Sequence, residues 1–328
     1  MIEVKNLSKE FRKPIRQPGV VGMFKTLFSR KYDSKMAVDD ISFTIPDGEI
    51  VGYIGSNGAG KSTTIKMMCG ILNPTQGEVL IDGVRPYQKR MAVASNIGVV
   101  FGQKTQLWWD IPLIESFKVL KEIYRVSDED YNERMDFLCK TLDIEPFLSQ
   151  PVRTLSLGQR MRADLAASWL HNPSILFLDE PTIGLDVWVK EKIRQAIKAM
   201  NEKYYTTVIL TTHDMQDIED LCSRVIMIES GKIIYDGALE DIKHHFGNIR
   251  TIELTLKSKP DMDSLDTFGG EADYQWADER LHIKFDADRL SIEKVVNYAF
   301  GKLGASDMQI FEINIEDVVK SIMARGVA

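Results

Sequence analysis

The stretch GSNGAGKST, Gly55 to Thr63, sets closely spaced glycines and then Lys-Ser-Thr between an apolar run and a segment of helical spacing. It satisfies G-x-x-x-x-G-K-S in the context that pattern needs, a strand before it and a helix after it. Glycines let the chain turn back until several backbone N–H groups converge on one point, and the positive end of the helix adds to the potential there. A triphosphate is the guest such a loop suits. Within it Lys61 is placed to hold the β- and γ-phosphates and Ser62 to bind Mg²⁺, while Ser56, Asn57, Gly58, Ala59, Gly60 and Thr63 complete the cradle.

A phosphate loop alone does not separate a kinase, a GTPase and a motor. The second pattern narrows the choice. SILFLDEPT is a buried-type strand that ends on two adjacent acids, Asp179 and Glu180. Asp179 can hold the water shell of Mg²⁺, and Glu180, one residue on, can polarise an attacking water as general base. No N-K-x-D stretch, the guanine-reading motif, occurs. A third pattern, LSLGQRMRADLAASWL, opens a helix with the Ser156 hydroxyl and the Gly158 backbone. That is a second phosphate-binding end, remote in sequence from the first. One nucleotide cannot easily reach both within one chain, so the pattern implies two chains packed head to tail, each nucleotide held between one glycine loop and the other serine loop.

The elements that must position these residues alternate. Apolar strands are read at 50–55, 96–103, SILFLDE and TTVILTTH, with helices after the glycine loop, over about 112–170 and over about 186–202. Buried strands alternating with helices indicate a parallel sheet. An alternating segment at 2–11 and another before the Pro46-Asp47-Gly48 turn add an antiparallel edge. Past residue 245 the pattern becomes strand, helix, strand pair, helix, strand and a closing helix over 248–328, a small α+β unit of ferredoxin-like pattern.

Composition sets further bounds. The 328 residues are 44% hydrophobic and 27% charged, with room for two or three domains. A net charge of −7 argues against a general nucleic-acid binder. Between Arg12 and Lys35, however, seven cations face Asp33 alone, and Val20, Val21, Phe24, Leu27 and Phe28 recur at helical spacing. This basic amphipathic insert suits anionic lipid headgroups or a partner's helices, or is a packed surface helix with solvated lysines. Cys69, Cys139 and Cys222 lie far apart, with no disulfide or zinc spacing, as expected in a reducing cytosol. Neither a spanning apolar run nor a signal segment is read, so the chain is expected to be neither secreted nor membrane-spanning.

Taken in order, these motifs resemble the nucleotide-binding (ATPase) subunit of an ATP-binding cassette (ABC) transporter over about residues 1–245. The likeness extends to Gln103 in VFGQK, Gly184-Leu185-Asp186, and His213 in TTHD. The nearest look is to ATPases of type-two exporters that carry a basic N-terminal insert. The resemblance implies a P-loop NTPase fold with an antiparallel β edge and a helical subdomain at about 104–170, and ATP and Mg²⁺ as cofactors. It implies that Gln103 senses Mg²⁺ and the permease, that His213 contacts the γ-phosphate, that Gln159 and Asp186 belong to the closed site, and that an aromatic near the start stacks on adenine. Phe11 is either that aromatic or a core phenylalanine.

The sequence departs from the family's LSGGQ at Leu157, which bars a positive-φ backbone there, while Ser156, Gly158 and Gln159 remain. Trp108 and Trp109 follow Gln103 on the face that in this family meets the permease, and are contact or core residues. The expectation is therefore a cytoplasmic homodimer, peripheral on the inner face of the membrane, that hydrolyses ATP to drive a separate permease, in the export direction. The rivals are a soluble ABC ATPase acting on nucleic acid or ribosomes, and a non-hydrolysing module, against which Glu180 stands. If the insert helps seat the motor, deleting residues 14–33 lowers both membrane association and transport; full retention of both in a vesicle assay would remove that role.

Overall fold

Val51 to Gly55, Ile175 to Leu178 and Thr207 to Thr211 are continuous apolar or β-branched runs, and each is buried on both faces. Such strands need helices on both sides of a parallel sheet. In the computed structural model, which describes residues 1–14, 32–102, 104–245 and 249–312, they lie side by side. β3 (Ile50–Gly55) pairs in parallel with β7 (Thr207–Thr211) and β8 (Arg224–Glu229), and β6 (Ile175–Asp179) pairs in parallel with β7 and β5 (Ile97–Phe101). The six-stranded order is β5-β6-β7-β3-β8-β9, with β9 at Lys232–Ala238.

The antiparallel part forms a sheet of its own, ordered β2-β1-β4, from β1 (Ile2–Pro14), β2 (Tyr32–Ile45) and β4 (Gln76–Ile81). Its apolar face, Ile2, Val4, Ile41, Phe43 and Ile45, joins one core with Tyr53, Phe177 and Ile209 of the parallel sheet. Helix α1 (Lys61–Met68) buries Ile65, Met67 and Met68 in that core. The phosphate loop is therefore anchored at its helical end by apolar packing. The β1/β2 ladder runs on past Phe11, pairing Phe11 with Lys35, Arg12 with Ser34, Lys13 with Asp33 and Pro14 with Tyr32. The two ends of the basic insert are thus strand, whereas the residues at helical spacing, Val20 to Phe28, lie outside the described residues.

Between β5 and β6 come α3 (Leu113–Tyr124), α4 (Asp128–Leu142) and α5 (Leu157–Trp169), preceded by a short α2 (Arg90–Ala94). α6 (Val187–Tyr204) and α7 (Met215–Leu221) follow β6 and β7. Among the described residues no helix is long and apolar enough to cross a membrane.

The chain divides into two units, Met1–Asp236 and Gly237–Ala328. The second begins with α8 (Leu239–His245) and builds a four-stranded antiparallel sheet, ordered β11-β12-β10-β13, from β10 (Ile249–Thr255), β11 (Ala272–Ala277), β12 (Arg280–Asp286) and β13 (Asp307–Glu312). Helix α9 (Ile292–Gly301) contributes Val295 and Ala299 to a core with Ile252, Leu281 and Ile283. The helix expected between the first two of these strands is only a 3₁₀ turn at Met262–Ser264. Pro260 stands just before it, and Gly269 and Gly270 take positive φ soon after, so no helical run fits between. The closing helix read at the C-terminus lies outside the described residues.

One contact ties α3 to the parallel sheet. His171 stacks on Tyr124 with ring centroids 3.9 Å apart, and its Nε2 lies 3.1 Å from the Ile97 carbonyl. Burial pushes its pKa down to about 4, only partly opposed by the Ile97 carbonyl, with Arg134 pushing the same way. A folded pKa below the unfolded one means that stability is complete above about pH 6.5 and is lost as pH falls towards 4. Urea unfolding at pH 7.5 and pH 4.5 should show a pH-linked loss of up to about 3 kcal/mol that His171→Phe removes; an equal loss in the variant would exclude His171 as its source.

Candidate functional site

The strands of the parallel sheet end level, and the chemistry collects at their carboxyl ends, where ligands bind in open α/β sheets. Phe101 pairs with Asp179 and Asp179 with Thr211, so β5, β6 and β7 finish at one height. After β3 the loop turns at Gly58 and Gly60, with φ of 86° and 118°. A Cβ on Gly60 would stand 2.5 Å from the Ala37 carbonyl of β2, so only glycine lets the antiparallel sheet approach the loop.

Lys61 opens α1, is buried, and donates from Nζ to the carbonyls of Gly55 at 2.6 Å and Ser56 at 3.1 Å. Burial lowers its pKa, while the nearby carboxylates of Glu180, Asp179 and Glu229 pull it back up. The ammonium is therefore fixed at the loop mouth with acids facing it. Ser62 Oγ donates to Asp179 Oδ1 at 3.3 Å, and Thr211 Oγ1 donates to the same oxygen at 2.7 Å. Ser56 Oγ donates to Glu229 Oε1 at 2.9 Å, and the other oxygen of Glu229 is buried without a hydrogen-bond partner.

Glu180 has φ +58°, uncommon for a residue with a side chain. Two bonds hold it there: its N–H donates to the Thr211 carbonyl at 2.9 Å and to Thr211 Oγ1 at 3.1 Å. The turn carries its carboxylate to His213, whose Nε2 lies 3.0 Å from Oε1. A cavity of about 320 Å³ is lined by Phe11, Lys35, Ala37, Asn57, Gly58, Gly60, Lys61, Ser62, Thr63 and Glu180. Phe11 is half exposed on its wall with the Lys9 ammonium 5.4 Å from the ring centre, not in the core. Lys35, its partner across the β1/β2 ladder, lines the same cavity.

The serine loop stands apart from that lining. Ser156 is the N-cap of α5, in a reciprocal box: Gln159 N–H donates to Ser156 Oγ at 3.2 Å and Ser156 N–H to Gln159 Oε1 at 2.9 Å. Leu157 is the first helical residue and sends a methyl towards Gly184, 3.4 Å from where a Cβ would stand there. A Cβ on Gly158 would meet both methyls of Val189 at 3.1 and 3.2 Å, tighter than ordinary contact, so α5 comes closest to α6 at that glycine. Asp186 caps α6 by accepting from Val189 N–H at 2.9 Å. Gln103 lies outside the described residues.

A buried network that sequence reading did not find joins these parts. Asp217 of α7, fully buried, accepts from Thr182 Oγ1 at 2.5 Å, Thr212 Oγ1 at 2.8 Å and Arg194 Nη1 at 2.9 Å. Thr182 is two residues past Glu180, Thr212 directly precedes His213, and Arg194 is on the helix that Asp186 caps. One carboxylate thus ties three segments of the site. The signal available in the sequence was slight: hydroxyls at 182 and 212 beside the acids and the histidine.

Among the described residues no group of three or more His, Cys, Asp and Glu side chains forms a cluster able to hold a metal. The donor set fits a divalent ion that takes its other ligands from phosphate and water, since Ser62 and Asp179 converge at 3.3 Å.

Comparison with known proteins agrees with this geometry. A family model described as ABC transporter matches residues 38–183. The chain is 34% identical over 218 residues to the ABC transporter ATP-binding protein NatA of Bacillus subtilis (strain 168), spanning 65% of this chain and 88% of that protein. It is 33% identical over 240 residues to the Probable multidrug ABC transporter ATP-binding protein YbhF of Escherichia coli (strain K12), spanning 73% of this chain and 41% of that one. A solved ATP-binding subunit of an ABC transporter superposes with a TM-score of 0.62 at 25% identity, over 75% of this chain and 92% of the other. A dimeric ATP-binding cassette in a post-hydrolysis state with ADP and Pi superposes with a TM-score of 0.61 at 28% identity, over 73% and 99%.

Removing the Arg194 guanidinium leaves Asp217 buried without its cation, so Arg194→Ala should lower stability by about 3–5 kcal/mol. Urea denaturation checks this, and a loss below about 1 kcal/mol would mean that the network does not hold the three segments.

Proposed function

The chain belongs to the ABC transporter ATP-binding proteins, ATPases that power membrane transporters, and from that membership we propose how its residues divide the work. The observation that carries the reading is the single cavity in which Lys61, Ser62, Thr63 and Glu180 meet, with Asp179 bonded to Ser62 and His213 on Glu180. ATP lies with its phosphates against the loop from Ser56 to Thr63. Lys61 exchanges its two loop carbonyls for phosphate oxygens, and the N–H groups at the start of α1 add their positive potential. Phe11 stacks on the adenine.

Ser62, Asp179 and Gln103 would hold Mg²⁺, which when bound supplies charge neutralisation at the phosphates. Glu180 takes the proton of the attacking water, held in place by its Thr211-bound backbone, and His213 orients its carboxylate and contacts the γ-phosphate. Across a homodimer, Ser156, Gly158, Gln159 and Asp186 of the second copy close the site. Leu157 is compatible with this because α5 begins at it with ordinary helical geometry.

The subunit works on a separate integral membrane permease, which meets the side bearing Trp108 and Trp109, half exposed in the chain. It is peripheral on the cytoplasmic face, and the cations of residues 12–35 add attraction for anionic lipid. Transport runs outward, as the likeness to type-two exporter ATPases indicates. Residues 248–328 form an accessory domain.

Glu180→Gln should lower ATP turnover by about 10²–10⁴-fold with nucleotide binding retained, and Ser156→Arg should abolish turnover with a single chain's binding intact. Tagged wild-type chain recovered from gently solubilised membranes should bring a multi-span protein with it. Recovery of ribosomes or nucleic acid instead, or of nothing from membranes, with ATPase activity of the wild-type chain intact, would replace this reading by that of a soluble ATPase.

A further inference from the structure

One buried acid takes no part in the nucleotide site. Asp164 lies on α5, eight residues after Ser156, which is about 12 Å along the helix. It is 5% exposed, and burial raises its pKa to about 6, against the pull of Thr105, the Gln106 amide and Arg160. An apolar side chain would pack on that helix without the cost of a desolvated carboxyl. The acid is explained by what it holds.

Its Oδ1 accepts from Thr105 Oγ1 at 2.8 Å and from the Gln106 N–H at 3.1 Å, while Gln106 Nε2 donates to its backbone carbonyl at 3.2 Å. These are the first residues of a strap that leaves β5 and runs along the segment leading into α5. Further along, the Arg160 guanidinium lies 5.6 Å from the Trp109 ring centre. Arg153 donates from its N–H to the Trp109 carbonyl and from Nη1 to Asp110 Oδ1, both at 3.0 Å, and Val152 N–H donates to the Ile111 carbonyl at 3.2 Å. The Asp164 bonds are part-buried, as is the bond from Trp108 N–H to Ser116 Oγ at 3.3 Å on α3, and Val152 is buried. Of the side-chain ties between the strap and the segment leading into α5, the Arg153–Asp110 pair and the Arg160–Trp109 contact lie at the surface, where such contacts hold weakly. The strap carries Trp108 and Trp109 on its outer side.

The geometry points to Asp164 as a positioning residue that latches the 105–111 strap to α5, so that strap and helix move as one body and a push on Trp108 and Trp109 reaches Ser156. This rests on the reading of the tryptophan side as the permease side and of Ser156 as part of the closed site. It adds the residue through which the two are joined.

Hydrogen exchange by mass spectrometry on the full chain carrying Glu180→Gln, with and without ATP, tests it. Without nucleotide, peptides over 104–112 should exchange about tenfold faster in Asp164→Ala, the effect of losing two hydrogen bonds. In Asp164→Asn they should return to the parent's rate, because the amide oxygen still accepts from Thr105 and Gln106. With ATP, peptides over 104–112 and 156–165 should slow together in the parent and in Asp164→Asn, whereas in Asp164→Ala only 156–165 should slow.

Thr105→Val, which removes one bond from the other side, should give an intermediate rate and decides the matter if Asp164→Ala does not fold. Unchanged exchange of 104–112 in both Asp164→Ala and Thr105→Val, or equal slowing with ATP in parent and variants, overturns the latch. Were 156–165 to slow in no version, the closed-site reading would fall, and the nucleotide-free rates would still accept or reject the latch.

Discussion

Everything at the site depends on strands β6 and β7 ending in register, with Asp179 opposite Thr211. That pairing lets one threonine serve twice. Its hydroxyl donates to Asp179 and receives the N–H of Glu180, while its carbonyl receives the same N–H. Asp179 is thereby aimed at Ser62, and Glu180 is held in a left-handed turn that it would not keep by itself. A slip of one residue between these strands would send every side chain to the opposite face. Continuous apolar burial on both sides of the sheet is what forbids it.

A second layer of control sits behind the first. Asp217 gathers the segments that follow Glu180 and precede His213, and fixes them to the helix capped by Asp186. α5 comes closest to that same helix where Gly158 meets Val189. The acid, the histidine, the Asp186 turn and the serine loop therefore stand on a connected frame, although they come from four stretches of chain. Asp164 extends that frame to the strap beyond β5. Rigid placement of weak interactions is how such sites gain their effect, because the groups need no reorganisation when charge develops.

The parts of this arrangement that are local in the chain were legible without a structure. A glycine loop between strand and helix, two acids at a strand end and a serine and a glycine opening a helix each declare themselves by spacing. The parallel sheet followed from runs such as SILFLD, too apolar for a one-sided strand. What escaped was whatever depends on distant residues meeting: the hydroxyls of Thr182 and Thr212 on Asp217, Thr105 on Asp164, and Glu229 under Ser56. Phe11 was ambiguous because its ladder partner, Lys35, is separated from it by the basic insert. The helix expected after β10 failed for a different reason: spacing suggested it, but Pro260 and the Gly269-Gly270 pair leave too short a stretch to nucleate one.

The β1/β2 ladder carries a consequence for protein engineering. Its last pair among the described residues is Pro14 with Tyr32, three pairs beyond Phe11 and Lys35, so residues 14 and 32 stand at adjacent points on a piece of sheet. Such a site accepts a foreign domain whose termini lie close together, since the register on either side is already set. The wall of the nucleotide cavity is the same pair of strands. A fluorescent domain grafted there would be coupled through only three ladder pairs to Phe11 and Lys35, which line the cavity. That makes this point in the chain a natural place to build an optical sensor of what fills that cavity.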